Sequence, residues 1–295
     1  TLRDARLKEE KKKAEAGDDT PYPSWERLRR EDREEAPTVT LTIRDSDGNV
    51  VQRLDGPAGK GYHRVAWNMR YPAPHPVNLA PSDSKAPWES EPTGPLALPG
   101  DYTVELSRRV EGNFETIGEA QAFNLKPMFT GGLVTDDREG LLEFQLATAD
   151  LFRAVMGASR SAGEIEARID HMIQAVLDTP GSTEEEAGAL RALKARMQDL
   201  RVALNGDSTF TSRQEPAPMP LHSRVAAIAG GSWSTQAGVT GNYADSFAIA
   251  AGQFPPLLAE LASIADDLAA LEAQLEAKGA PWTPSRIPEW TPPGG

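Results

Sequence analysis

Four histidines are the side chains best suited to proton transfer or metal ligation near neutral pH: His63, His75, His171 and His222. No two of them share the i,i+4 spacing that sets two imidazoles on one helix face, so a metal centre would need scattered positions. His63 falls in a strand pattern and His171 in a helix pattern, and a structural role is the expectation for both. The 44 Asp and Glu would allow paired acid–base chemistry only if two of them faced each other across a rigid cleft, one of them desolvated. Most of these acids fall on outer helix positions or in turns. Asp45 and Asp47 flank a hairpin turn, where aspartate is expected for backbone reasons. There is no Walker pattern, phosphate-cradling glycine loop or G-x-S-x-G elbow. Gly230-Gly231-Ser232 resembles an oxyanion loop in composition only, with no base nearby. The absence of cysteine removes disulfides, thiolate zinc sites, iron–sulfur clusters and cysteine nucleophiles together. No catalytic, cofactor-binding or metal-ligating residue is assigned.

Aromatic side chains are the remaining candidates. The chain has 6 Trp although aromatics make up only 6% of it. Trp88 lies in a proline-laden loop, Trp233 in a loop after a glycine pair, and Trp282 and Trp290 in a proline-spaced tail. Exposed, these four could stack on a carbohydrate or a partner surface. For the two tail residues, packing on the chain's own surface is the stronger expectation, since prolines pre-order an extended segment for docking.

The bulk composition narrows the classes further. With 31 Lys and Arg against 44 Asp and Glu, the net charge is −13 and the pI is about 4.9. A phosphate backbone is gripped by positive surface, so nucleic acid is not expected as a partner. No uninterrupted apolar run approaches the ~20 residues of a membrane helix, and no membrane span is expected. The chain opens on Thr1 with a charged stretch and no signal pattern, which reads as a piece or processed product of a longer polypeptide.

The elements that must position these residues change period along the chain. Residues 1–36 form a charged arm with one short helix carrying Trp25 and Leu28. Val39, Leu41 and Ile43 alternate with threonines as in a half-buried strand, Asp47-Gly48-Asn49 supplies a tight turn, and Val50-Val51 with Leu54 resume the strand. His63, Val65 and Trp67 predict another strand, Tyr102, Val104 and Leu106 a further one, and Phe123 with Leu125 the last. Short strands with turn signals over residues 37–130 indicate an antiparallel β-sandwich. Gly131-Gly132 marks a boundary, and residues 131–279 predict an antiparallel three- to four-helix bundle with an inserted loop at 206–244. Its first helix contains Leu142, Leu146, Ile165, Ile169 and Val176, with Gly157 and Gly163 either interrupting it or admitting a neighbour. Ser182 and Glu185 offer a capping box for a helix with Leu190, Leu193, Met197, Leu200 and Leu204 on one face, ended by Asn205-Gly206. A short apolar helix is expected near Val225–Ala229. Leu257, Leu261, Ile264, Leu268, Leu271 and Leu275 form a coiled-coil-like seam, and Pro255-Pro256 just before it predicts a kink or restart. The outer helices would reach ~50 Å at the helical rise per residue. The last stretch, 280–295, is an extended Pro/Trp tail. The fold class is therefore α+β and multidomain.

Several of these segments together resemble a known family. VTLTIRDSDGNVVQRL (Val39 to Leu54), Gly61-Tyr62-His63-Arg64-Val65-Ala66-Trp67-Asn68 and Gly100-Asp101-Tyr102-Thr103-Val104 resemble the immunoglobulin-like module of the flagellar hook-capping protein, with its D-x-x-G-x-V, W-D-G and G-x-Y signatures. Asn68-Met69 departs from W-D-G, which implies an altered turn. PYPSWERLRREDREEAPTV, GYHRVAWNMRYPAP, AGGSWSTQAG and AKGAPWTPSRIPEW resemble the C-terminal region of large bacterial sortilin-type, BNR-repeat β-propeller proteins, often labelled glycosyl hydrolases. This resemblance covers nearly the whole chain. It implies an upstream β-propeller in the same polypeptide, an extracytoplasmic location, and a first sandwich strand preceding Thr1. Asp-box repeats are absent from the sequence, so no propeller site residue carries over. The expectation is a non-catalytic accessory module that supports propeller docking, orientation or oligomerisation through the bundle. A carbohydrate-binding module, or one wall of a hydrolase-like site completed by the propeller, is the alternative.

Overall fold

A computed structural model of the chain describes residues 1–79, 91–128 and 134–292. The chain divides into two compact units, Thr1–Pro72 with Leu96–Thr130, and Ala73–Pro95 with Gly131–Gly295. Residues 73–95 thus leave the first unit and belong to the second. The architecture is α+β, an antiparallel sheet followed by helices.

Five strands build the sheet of the first unit: β1 (Thr38–Arg44), β2 (Val50–Gly56), β3 (Gly100–Val110), β4 (Asn113–Thr116) and β5 (Gln121–Leu125). β1 lies between β2 and β3, and β4 and β5 pair with successive stretches of β3. The β1–β2 turn forms because one Asp45 carboxylate oxygen accepts from the amides of Asp47 (3.1 Å) and Asn49 (2.8 Å), while Gly48 takes a φ of 84° that other residues resist. One small core gathers Ile43, Val51, Ala97 and Tyr102, with Trp67, Val104 and Phe123 packed against it. Trp67 meets Tyr102 edge-on at 5.6 Å between ring centroids, the geometry that ring quadrupoles favour.

The strand expected at His63–Trp67 does not form. Val65 and Trp67 are half-buried and their neighbours exposed, so the alternation is present, but no ladder accompanies it. The Trp67 indole instead donates to the Arg70 carbonyl (3.1 Å), Met69 sits at φ 60° with its carbonyl accepting from the Ala97 amide (2.8 Å), and Arg70 forms an isolated bridge to Leu96. Alternation reports burial on one side, and a segment draped over a sheet face satisfies it without hydrogen bonds to a partner strand. The arm holds two helices rather than one, α1 (Leu2–Ala16) and α2 (Trp25–Arg33). Neither buries a residue. They meet through Arg6, whose Nε donates to Glu31 at 2.7 Å, while Trp25 stays 69% exposed.

The second unit contains α3 (Arg138–Leu177), α4 (Glu184–Asn205), α5 (Ser208–Ser212), α6 (Leu221–Ser232) and α7 (Gly241–Ala277). α3, α4, α6 and α7 share one core that includes Val155, Ile169, Leu190, Met197, Val225, Ile264 and Leu268. The stripe Leu190, Leu193, Met197, Leu200 and Leu204 is buried as its spacing predicts. α3 runs unbroken, and a Cβ added at Gly157 or Gly163 would meet nothing within 4 Å, so these glycines neither interrupt it nor admit a neighbour. Its buried face at the start is Leu141, Gln145 and Thr148, one position from the expected Leu142 and Leu146. The α4 capping box also shifts by one, to Thr183 and Glu186. The segment 206–244 supplies α6, which extends through Gly230 and Gly231 into the core.

α7 continues through Pro255 and Pro256 without a restart. One 18-residue window of α7 reaches a mean hydropathy of 1.3, so length and composition make it a candidate membrane span. A search for uninterrupted apolar runs misses it because acidic residues are spaced through the helix. In this fold α7 buries Phe254, Leu261, Ile264, Leu268 and Leu275 in the core of the unit.

Candidate functional site

The tail is fixed to the second unit by three residues. Gly279 turns the chain at φ 82°, and the Ala280 amide donates to the Leu275 carbonyl (3.0 Å), so the last turn of α7 is closed and Ala280 is buried. Thr283 is buried as well. Arg286 then donates from Nε and Nη2 to the two carboxylate oxygens of Glu276 at 2.6 and 2.5 Å, a bidentate fork. That guanidinium holds the Glu276 carboxyl below the usual carboxylate range.

The side chains expected to pack are the ones left out. Trp282 is 46% and Trp290 78% exposed, so the tail is held by Ala280, Thr283 and Arg286 and presents its indoles outward. Trp233 caps the end of α6 and is half-buried against the core. Trp88 lies outside the described residues. Of the four sequence candidates, the structure therefore sets Trp282 and Trp290 on one fixed segment and gives Trp233 a packing role.

Several titratable groups of the unit tie helices together. Glu272 on α7 has a fully buried carboxylate, met by Arg168 of α3 at 2.6 Å and by Arg286 of the tail at 3.8 Å. Arg196 of α4 reaches Glu260 (2.8 Å) and Asp267 (2.6 Å) of α7, and Lys194 reaches Asp170 of α3. Lys278 and the Thr183 amide both donate to Glu186, which lowers its carboxyl. The rings of His75 and His222 each lie 5.6 Å from that of Phe152, while His171 and His63 face the carbonyls of Ala167 and Gly59. Among the described residues no group of three or more His, Asp and Glu is placed to hold a metal ion.

A cleft of about 620 Å³ opens where α4 ends, and sequence reasoning missed it. Val202, Phe210, Met219 and Leu257 are among its apolar walls, and Asp207, Gly252 and Gln253 also line it. Asp207 caps α5: its Oδ1 accepts from the Thr209 amide (2.8 Å) and hydroxyl (2.7 Å), which holds the carboxyl below its usual range. Gly252 stands three and four residues before Pro255 and Pro256. Neither proline has an amide hydrogen, so neither the α nor the 3₁₀ helical partner can donate to the Gly252 carbonyl. The available signal was this Gly-x-x-Pro-Pro spacing inside a long helical period.

Comparison with models of protein families, with curated proteins and with solved structures found no match in any of the three.

Proposed function

We propose that this chain is a non-catalytic accessory module of a larger exported β-propeller protein, with the immunoglobulin-like sandwich and antiparallel helical bundle that its sequence resemblance implies. The observation that carries the proposal is how the second unit uses its charge. Carboxylates facing other helices or the tail are tied to Arg or Lys there, as in Arg168–Glu272, Arg196–Glu260 and Arg286–Glu276, and such cross-ties make a stiff support. The sheet adds a second feature, since among the described strands β2 pairs with β1 alone. Its outer edge carries backbone donors and acceptors that an upstream strand of the same polypeptide would satisfy. The test is deletion of residues 1–295 from the propeller-bearing protein. Loss of propeller stability or assembly with the propeller's chemistry otherwise retained is expected. Turnover of a glycan or peptide by this chain alone, abolished by a point substitution, would refute the proposal.

A carbohydrate-binding reading is favoured by Trp282 and Trp290, two exposed indoles on a tail fixed by the Arg286–Glu276 fork. Stacking on a sugar face needs an aromatic plane held in place before the ligand arrives. Quenching or shift of Trp fluorescence by a glycan, lost in Trp282→Ala with Trp290→Ala, supports this reading, and an unchanged spectrum across a glycan panel removes it.

A further inference from the structure

We propose that the cleft between the end of α4, α5 and the proline turn of α7 binds a small apolar organic cation, an alkyl- or aryl-ammonium. Its volume of about 620 Å³ falls in the range of small-molecule sites, roughly 300–1,000 Å³. Val202, Phe210, Met219 and Leu257 line this open cleft with apolar side chains, the first three of them partly exposed. Asp207 and Gln253 are the polar side chains of its lining, a carboxylate that only accepts and an amide that both donates and accepts. The Gly252 carbonyl faces two consecutive residues that have no amide hydrogen. The Oδ2 of Asp207 accepts no hydrogen bond among the described residues, because Thr209 engages Oδ1 alone. No Lys, Arg or His lines the cleft. An ammonium group donates to several acceptors and carries the charge that Asp207 lacks beside it, while its hydrocarbon displaces water from the apolar walls. A carboxylate of the same shape would bring negative charge to the Asp207 carboxylate, and the lining offers it one donor side chain, the Gln253 amide, and no cation.

The experiment is ¹⁹F NMR titration of the full chain with 4-fluorophenethylammonium at neutral pH, with 3-(4-fluorophenyl)propionate as the anionic comparison. Saturable binding of the ammonium with a Kd of about 1 mM or tighter, and at least about tenfold weaker binding of the carboxylate, is expected. Asp207→Asn keeps a side chain competent to cap α5 and should weaken the ammonium about fivefold or more. Pro256→Ala restores an amide aimed at the Gly252 carbonyl and should weaken the ammonium without lowering the melting temperature. Met219→Trp, at a half-exposed position, should fill the cleft and abolish binding. Thermal melts of each variant verify that it is folded. Absence of ammonium binding to the wild-type chain, equal binding of the carboxylate, or undiminished ammonium binding in folded Met219→Trp or Asp207→Asn would overturn the assignment.

Discussion

Arg168 of α3 grips the buried carboxylate of Glu272 on α7 through two hydrogen bonds, Nε to Oε1 at 3.2 Å and Nη2 to Oε2 at 2.6 Å. The Glu272 side chain has no exposure to solvent, whereas the Arg168 side chain keeps about a quarter of its surface in water. The two ends of this pair are therefore not equivalent. Removing Arg168 leaves the buried anion without a hydrogen-bonded partner and with Arg286 alone, 3.8 Å away, whereas removing the glutamate leaves a cation that can still reach solvent. Arg168→Met should cost about 2–4 kcal/mol by urea denaturation. Adding Glu272→Leu to Arg168→Met should recover most of that loss. A double variant as unstable as the single one would show that the pair itself, rather than the stranded charge, carries the effect.

The second unit should lose stability in acid through three carboxyls, the Asp207 cap and two that face cations. Glu186 is held below its ordinary value of 4.5 by Lys278 and Thr183, and Glu276 below the same value by Arg286. A depressed folded-state pKa gives stabilisation that is complete above about pH 4.5 and lost as pH falls through the folded value. Melting temperature measured from pH 6 down to pH 2 should drop below pH 4.5. Lys278→Met and Arg286→Met should each flatten the slope, and an unchanged slope in both would assign it to other groups.

The first unit should be sensitive at the alkaline end. Burial pushes the Tyr102 hydroxyl up from 10.0 to about 12, with smaller contributions from Tyr71 and Asp45. A raised phenol pKa stabilises the fold below the unfolded value, and the gain is lost as pH rises from about 10 towards 12. The same hydroxyl donates to the Leu98 carbonyl at 2.6 Å. Tyr102→Phe should reduce the alkaline loss to the share of Tyr71, whose hydroxyl burial also raises, while lowering stability at pH 7 by about 1 kcal/mol for the missing hydrogen bond. Near-ultraviolet circular dichroism across pH 8–12 distinguishes the two effects.

Glycines of similar sequence context should respond oppositely to alanine. At Gly157 and Gly163 of α3 a Cβ meets open space, and each Gly→Ala change should add about 0.5–1 kcal/mol of helix stability. A Cβ at Gly231 of α6 would collide with the Tyr243 hydroxyl on α7, so Gly231→Ala should cancel that gain or reverse it. Melting temperatures of the three variants decide the matter. An equal rise in all three would mean that Tyr243 moves aside freely.

The sequence made the periodic parts of this protein legible. Leu190 to Leu204 and Leu261 to Leu275 appear in the core because each helix has one apolar face and one set of neighbours. Val39–Ile43 became a strand because its alternation has a ladder on both sides, to β2 and β3. His63–Trp67 shows the same alternation with no ladder, since period two records burial and is silent about pairing. The α4 cap moved by one residue because Ser182-Thr183 and Glu185-Glu186 offer two boxes of equal chemistry in adjacent registers. Trp282 and Trp290 were expected to pack because prolines pre-order the tail for docking, yet the tail is held by the Arg286–Glu276 charge pair and both indoles stay exposed. The cleft was hidden for a different reason. Its walls come from 202–221 and 252–257, and only folding brings those stretches together.

Residues 73–95 belong to the second unit, while the chain on both sides of them belongs to the first. Pro74 is buried there, and the Val77 carbonyl accepts from Arg160 of α3 at 2.8 Å. The polypeptide therefore crosses between units three times, near residues 72, 95 and 130. A single proteolytic nick at any one crossing leaves the two units covalently joined through the others. Truncation at residue 131 does not deliver the complete second unit, because the segment whose Val77 carbonyl accepts from Arg160 departs with the sheet. Dissection of this protein into independent parts calls for circular permutation or an insertion-excision design, in which 73–95 is replaced by a short loop in one part and supplied as an added segment to the other.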